Sequence, residues 1–237
     1  MSSPEPPPCI TRIEPLRPRG LRVRIHLTRG DPVEVALEAL ERAGLGAGDP
    51  FPASDRHHLL NADADIRVRD AALNLLSYRA RTRRELRTRL VAKGFRPARV
   101  DVILDRLQER GLVDDATVAA AFVRDRLRHR PRGPARLRDE LRAKGIPPPL
   151  AEEVVHRVLE DEEVGETDLA LEVARAWVAR QGRETLQALA CEHPSPERER
   201  ARRRLYGYLA RRGFRGPPLT RAMDAAREAA RRAGRTG

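Results

Sequence analysis

A short motif that occurs three times constrains the fold of this chain more than any other feature. Each copy holds a leucine, two variable residues, a lysine or arginine, a glycine and an apolar residue; the copies are Leu90–Phe95, Leu141–Ile146 and Leu209–Phe214. Another leucine stands four residues before each copy, the spacing of one apolar helix face. The basic residue suits the last helical turn, and the glycine suits the left-handed residue that ends it. The motif therefore predicts a repeated helix–turn–helix unit in which three glycines have a structural role: Gly94, Gly145 and Gly213.

The composition favours helices around several small cores. Alanine, leucine, arginine and glutamate are good helix formers and dominate the 237 residues, whereas 3% are aromatic and 35% are charged. No apolar run approaches the roughly 20 residues that span a bilayer, and the first residues lack the pattern of a secretion signal. Two isolated cysteines, Cys9 and Cys191, argue against a structural disulfide. We therefore expect a cytoplasmic protein with no membrane partner, in which Cys9 lies in a flexible tail.

A small β/α segment precedes the repeats along the chain. Alternating apolar residues over 10–14 and 21–27, around a turn at 17–20, predict a small antiparallel hairpin or three-stranded sheet with Leu21, Val23, Ile25 and Leu27 on one face. A helix over 35–43 follows, and continuous helical structure is expected from about residue 63, which leaves His57 and His58 in a polar turn. The predicted division is a flexible tail and β/α segment over 1–62, and three-helix repeats over 63–115, 116–164 and 165–237.

Helix starts within the repeats carry capping residues. Thr82 with Glu85 forms a capping box, and Asp115 is expected to cap the helix over 116–129. One three-helix bundle of this size buries little surface, so neighbouring bundles are expected to stack. The predicted fold is mainly α, with tandem three-helix bundles in an elongated array and a small N-terminal β-hairpin and helix.

The net charge of +12 is concentrated on the helices that end in the glycine motif. Such helices could bind a polyanion, although an exposed, solvated face explains any single arginine equally well. The same placement in three copies favours a binding face. The candidate binding residues are Arg81, Arg83, Arg84, Arg87, Arg89, Lys93, Arg136, Arg138, Arg142, Lys144, Arg202, Arg203, Arg204, Arg211 and Arg212.

No pattern of catalytic chemistry stands out. The chain has neither a phosphate-binding P-loop nor a dinucleotide-type glycine cluster. His57 and His58 have no cysteine pair nearby and are weak metal candidates, and Asp114 with Asp115 fits helix capping better than paired acid–base carboxylates. We therefore predict no catalytic residue, no metal site and no cofactor.

Further motifs follow one another in a fixed order along the chain. They are 76–82, 85–86, 94–95, 111–115, 122–126, Gly133, Leu137, 140–141, 144–146 and 208–214. This series resembles the RecX family of recombinase regulators, and residues 10–14, 44–45 and Gly48 resemble a strand-bearing extension found in part of that family.

The resemblance implies a non-enzymatic regulator of RecA recombinase. It implies binding to the RecA filament on single-stranded DNA and inhibition of its ATPase, recombinase and coprotease activities, and hence a role in DNA repair, homologous recombination and the SOS response. It also implies weak, nonspecific binding to single- and double-stranded DNA by a monomer. The residues alone leave an alternative open, a helix–turn–helix transcription regulator that binds DNA directly. The absence of one distinct recognition helix argues against that alternative.

Overall fold

The computed structural model describes residues 6–17 and 20–233, which form three strands and eleven helices. These residues divide into two compact units. The first comprises the described residues up to 80 together with 86–113, and the second comprises 81–85 together with those from 114 onward. The predicted class, a mainly α protein with a small N-terminal sheet, is confirmed. None of the described helices combines the length and apolar character needed to cross a bilayer.

The first unit opens with the predicted antiparallel sheet. Its strands β1 (Ile10–Pro15), β2 (Arg22–Leu27) and β3 (Val33–Ala36) pair in the order β1-β2-β3. Leu21 does not share the environment of Val23 and Ile25: those two are buried, whereas the side chain of Leu21 is 79% exposed, because the strand begins only at the following residue. Residues 18 and 19 of the predicted turn, and residues 1–5 of the predicted tail, lie outside the described residues.

Cys9 belongs to the edge of this sheet and not to a flexible tail. Its nitrogen donates to Thr28 Oγ1 at 3.0 Å, and its carbonyl accepts from the Thr28 nitrogen at 2.9 Å. Cys9 also forms an isolated bridge with Pro50. The expectation of flexibility is wrong because the backbone partners of Cys9 come from segments distant in sequence.

A long helix connects the sheet to the first repeat. After α1 (Leu37–Ala43), α2 spans Ala53–Tyr78 and so begins well before residue 63. His57 and His58 are exposed on this helix, not in a turn. The early start of α2 was not predicted because the sequence of its first turns is mostly polar. Among them, Leu59 is the side chain buried in the core with the strand residues.

The first repeat packs the second half of α2 against α3 (Arg83–Ala92) and α4 (Pro97–Glu109). Its core includes Val68, Leu86, Leu90, Val100 and Leu104, all fully buried. The leucines at the i and i+4 positions of the motif therefore face inward, as their spacing predicts.

The second unit contains seven further helices among its described residues. These are α5 (Asp115–His129), α6 (Pro134–Ala143), α7 (Pro148–Asp161), α8 (Glu166–Val178), α9 (Arg183–Ala190), α10 (Pro196–Arg211) and α11 (Gly216–Ala233). Helices α5–α7 enclose one core around Leu137 and Leu141. Helices α8–α11 enclose another, in which Trp177, Leu205 and Phe214 are buried.

All three glycine motifs end their helices with the same backbone geometry. The φ angles of Gly94, Gly145 and Gly213 are 90°, 89° and 89°. In each copy the apolar residue after the glycine donates its N–H to the carbonyl of the motif leucine, at 3.3, 3.1 and 3.2 Å respectively. Of the two bonds that define a Schellman turn, this one joins residues five apart in sequence. The predicted helix ends are therefore confirmed.

Two adjacent aspartates cap two different helices. Asp114 caps α5 by accepting from the nitrogens of Ala116 and Thr117 at 2.9 and 3.1 Å, so the assignment of this cap to Asp115 is wrong. Asp115 Oδ1 accepts instead from the nitrogen of Arg83, at the start of α3, at 2.7 Å. The two carboxylates therefore satisfy separate helix N-termini.

We expect Asp114→Ala to lower the free energy of unfolding of the second unit by about 1 kcal/mol, the usual cost of a lost cap. Hydrogen bonds from the side chain and nitrogen of Thr117 lower the pKa of the Asp114 carboxyl below its ordinary 3.8. Its stabilisation is therefore complete above that value and is lost as pH falls through the folded pKa. Urea unfolding at neutral and acidic pH measures both effects. An equal effect of Asp114→Ala at pH 2 and pH 7 would contradict the role of the charged carboxylate.

Candidate functional site

The candidate basic residues of the first repeat differ in how free they are to bind an anion. Arg81 is only 8% exposed and belongs to the interior. Arg87 Nε donates to Asp101 Oδ1 at 2.7 Å, which raises the pKa of Arg87. Arg89 and Lys93 are exposed and have no ion pair among the residues that the structure describes. Arg89 in α3 and Lys93 just after it are thus unpaired cations.

The arginines of α6 are all paired with carboxylates. The pairs are Arg136–Glu140 at 3.1 Å, Arg138–Glu152 at 2.6 Å, and Arg142–Asp139. Lys144 follows the helix, and its ammonium lies 4.9 Å from the centre of the Phe122 ring. This helix therefore presents a largely neutralised surface.

The basic residues of α10 are partly paired. Arg202 and Arg203 share the carboxylate of Glu199, at 3.6 and 3.0 Å. Arg204 and Arg211 are exposed and have no ion pair within the described ranges. An unpaired guanidinium gives up only water on binding a phosphate, whereas a paired one must also lose or share its carboxylate. Unpaired cations therefore occur near the glycine turns of α3 and α10.

The beginnings of α3 and α6 each contact a glycine turn within the second unit. Thr82 caps α3, accepting from the Glu85 nitrogen at 3.1 Å as its capping box predicts, and its hydroxyl donates to the Lys144 carbonyl at 3.0 Å. At the start of α6, the nitrogen of Gly133 donates to the Arg212 carbonyl at 2.8 Å. The same kind of junction is thus built twice.

The motif glycines allow these junctions to form. An alanine Cβ at Gly145 would lie 2.5 Å from the Cβ of Arg84, and one at Gly213 would lie 2.5 Å from the Cβ of Arg136. Arg84 and Arg136, both predicted as binding residues, therefore have structural roles. Around Gly94, in contrast, nothing lies within 4 Å of such a Cβ. Two of the three glycines thus serve close helix packing as well as helix termination.

Comparisons with known proteins identify the family to which these repeats belong. The family profile for the first three-helix domain of RecX matches residues 69–107, and that for the second matches residues 114–155. The regulatory protein RecX of Halorhodospira halophila is 37% identical over 161 residues, which cover 68% of this chain and 89% of that protein. The chain belongs to the RecX family.

Other RecX proteins match over a similar extent. The regulatory protein RecX of Chromohalobacter salexigens is 36% identical over 156 residues, which cover 65% of this chain and 90% of the relative. A crystal structure of regulatory protein RecX superposes with a TM-score of 0.72 and 24% identity, covering 92% of this chain and 99% of that one. The superposition establishes the RecX fold, and the kinship supports a regulatory role.

One group of cations joins Arg212 of the predicted site to arginines that were not predicted. Arg180, in the turn after α8, donates from Nη2 to the Tyr208 hydroxyl at 3.0 Å. Arg212 lies over the same ring, 3.7 Å from its centre. Arg130 and Arg132, between α5 and α6, line one cavity together with Arg180 and Arg212. Sequence analysis missed Arg180 because the helix that precedes it lacks the glycine motif that marks the other basic helices.

Proposed function

We propose that this RecX protein is a non-enzymatic regulator that binds the RecA filament on single-stranded DNA and inhibits its ATPase, recombinase and coprotease activities. Membership of the RecX family supports a regulatory role. The observation that carries the proposal is that unpaired cations recur on helices that end in the glycine motif, or directly after them, at Arg89 and Lys93 in one repeat and at Arg204 and Arg211 in another.

A filament suits a protein built of repeats. Successive RecA protomers offer identical surfaces, so several weak contacts made by one chain combine into strong binding through a high effective concentration. The guanidinium groups can pair with acidic protomer surfaces or with DNA phosphates. Occupation of the filament groove would then block the second DNA strand or the protomer motions that accompany ATP turnover.

The alternative, direct regulation through duplex DNA, requires a basic recognition helix. In the second repeat the third helix, α7, is instead acidic. It carries Glu152, Glu153, Glu160 and Asp161 against a single arginine, Arg157, which is itself 3.4 Å from Glu153. A helix of this charge would be repelled by the phosphates that line the major groove.

The test is the ATPase activity of RecA on single-stranded DNA, titrated with the full chain. Inhibition well below one molecule per RecA protomer supports the proposal. If equimolar protein leaves the ATPase unchanged and the chain binds a specific duplex tightly, the transcription-regulator alternative replaces it. Salt titration of duplex binding measures the nonspecific electrostatic part separately.

We expect the double variant Arg204→Glu/Arg211→Glu to need roughly tenfold more protein for half-inhibition of the ATPase, because it reverses two unpaired charges. The control is Arg200→Glu, which changes an exposed arginine on the same helix that is already 3.8 Å from Glu197. The control should inhibit nearly as well as the natural chain. Equal inhibition by the double variant and the natural chain would rule out a binding role for the exposed face of α10.

A further inference from the structure

A cavity of 440 Å³ in the second unit is lined by an excess of positive charge. Arg130 and Arg132 contribute from the α5–α6 connection, Arg180 from the end of α8, and Arg212 from the end of α10, while Glu172 is the one carboxylate in the lining. The volume falls within the usual range for small-ligand sites, and ligand sites of this kind hold a few converging polar groups.

Three of the four guanidinium groups in the lining have no carboxylate partner, and the fourth has a distant one. Arg130, Arg180 and Arg212 have no ion pair among the described residues. Arg132 Nε is buried without a hydrogen bond, and its nearest carboxylate oxygen, on Glu140, is 3.9 Å away. Glu140 already accepts from two other arginines, Arg126 at 3.0 Å and Arg136 at 3.1 Å, so it compensates Arg132 poorly.

The like charges in the cavity oppose one another. Burial lowers the pKa of the Arg212 guanidinium; Tyr208 raises it, and the charges of Arg132, Arg180 and neighbouring Arg211 lower it further, so the net shift is downward. Such an arrangement costs stability in the free protein. A bound anion would remove that cost, because its negative charge lies close to several guanidinium groups at once.

The cavity is also held in place before any ligand binds. The hydrogen bond from Gly133 to the Arg212 carbonyl ties the α5–α6 connection to the end of α10. Tyr208 fixes two of the arginines, since its hydroxyl accepts from Arg180 and its ring lies beneath Arg212. Fixed side chains lose little conformational freedom on binding, which favours affinity.

We infer that Arg132, Arg180 and Arg212, with Arg130 at the rim, form a receptor for one phosphate group of a single-stranded nucleic acid. Guanidinium forks match the geometry of phosphate oxygens and form paired hydrogen bonds with them. The Tyr208 ring is covered by Arg212 on one side, so the site binds the backbone and not a base. Binding is therefore independent of sequence. This inference deepens the proposed function by assigning DNA contact to a defined place in the second unit.

The test measures binding of a fluorescein-labelled oligothymidylate to the full chain without RecA. Binding is monitored by fluorescence anisotropy at several salt concentrations. We expect Arg180→Ala and Arg212→Ala each to weaken binding about tenfold, and the slope of log affinity against log salt to fall by about one per variant. Arg212→Lys should restore only part of the affinity, because an ammonium cannot form the bidentate contact.

Arg175→Ala is the matched control. Arg175 is an exposed arginine of α8 that does not line the cavity, and it has no ion pair among the described side chains. The control removes one charge from α8, the helix that precedes Arg180, and should bind nearly as well as the natural chain. An equal loss in Arg175→Ala would mean that general electrostatics alone attracts DNA, and the pocket would be rejected. Arg180 is exposed, so its alanine variant keeps the test valid even if Arg212→Ala unfolds.

Competitors identify the source of the phosphate. Displacement of the oligonucleotide by inorganic phosphate at an equal phosphate concentration would assign the pocket to a free anion, and displacement by polyglutamate at an equal charge concentration would assign it to an acidic protein; either overturns the inference. A failure of the proposed function is distinguishable. In that case the natural chain binds the oligonucleotide through the pocket but leaves the RecA ATPase unchanged.

Discussion

Replacement of Gly213 by alanine is expected to lower the free energy of unfolding of the second unit by about 2–5 kcal/mol. Two costs add. The left-handed conformation at φ 89° costs an alanine roughly 1–2 kcal/mol. The new Cβ would also lie 2.5 Å from the Cβ of Arg136 and closer still to its backbone nitrogen, and overpacking of this kind adds about 1–3 kcal/mol. The single tryptophan, Trp177, is buried in the same unit and reports its urea transition by fluorescence.

Two other glycines separate these costs. Gly216 has φ 55° in the same unit, with nothing within 4 Å of an added Cβ, so Gly216→Ala carries only the backbone cost. Gly94 has the motif geometry but lies in the first unit in open space, so Gly94→Ala should leave the Trp177 transition unchanged. If Gly213→Ala destabilises the protein no more than Gly216→Ala does, the close approach of Arg136 adds nothing to the cost of the substitution.

The consequence for binding follows from the residues next to Gly213. Arg211 and Arg212 precede this glycine, and the Arg212 carbonyl accepts the hydrogen bond that fixes the start of α6. A displaced junction would therefore move the arginines that line the cavity. Gly213→Ala should weaken binding of the oligothymidylate even where the protein remains folded, whereas Gly216→Ala should affect binding far less.

Local chemistry made most of the helix pattern predictable. A Schellman turn depends on residues within one helical turn of the glycine, so Lys93-Gly94-Phe95 and its two equivalents identify their helix ends without tertiary information. The capping role of Thr82 is predictable for a similar reason. Two of the corrections, at Leu21 and at the start of α2, arise because the local sequence pattern resembles that of a different structure: the alternation at Leu21 resembles a strand, and the polar start of α2 resembles a loop.

The parts that sequence analysis missed depend on contacts between distant segments. Cys9 is ordered by Thr28 and Pro50, and the second role of Gly145 depends on Arg84. Within the candidate site, the sequence could not show which arginines form ion pairs. Arg138 and Arg204 occupy similar basic helices, yet only Arg138 meets a carboxylate, because acidic α7 packs beside α6 and places Glu152 within 2.6 Å of it.

We expect the second large effect at Asp63, on α2, which ties the sheet to this helix. Its carboxylate is only 6% exposed; it accepts from the Ala36 nitrogen at 2.7 Å and from Arg22 Nη1 at 3.0 Å. Asp63→Ala would leave a buried backbone N–H and a guanidinium without their acceptor, at a cost of about 2–4 kcal/mol. Native-state hydrogen exchange of the Ile25 and Val35 amides measures this cost within the first unit.

Variants at the same and a neighbouring position show which part of Asp63 matters. Asp63→Asn retains an oxygen that can accept from Ala36 and should recover part of the loss, because only the charge facing Arg22 is removed. Asp65→Ala removes a carboxylate two residues further along the same helix. The side chain of Asp65 is 35% exposed and pairs with Arg99 at 2.9 Å. Such a partly solvated pair contributes about 1 kcal/mol or less. If Asp65→Ala accelerates exchange in the sheet as strongly as Asp63→Ala does, the sheet is held by general packing on α2 and not by the buried carboxylate.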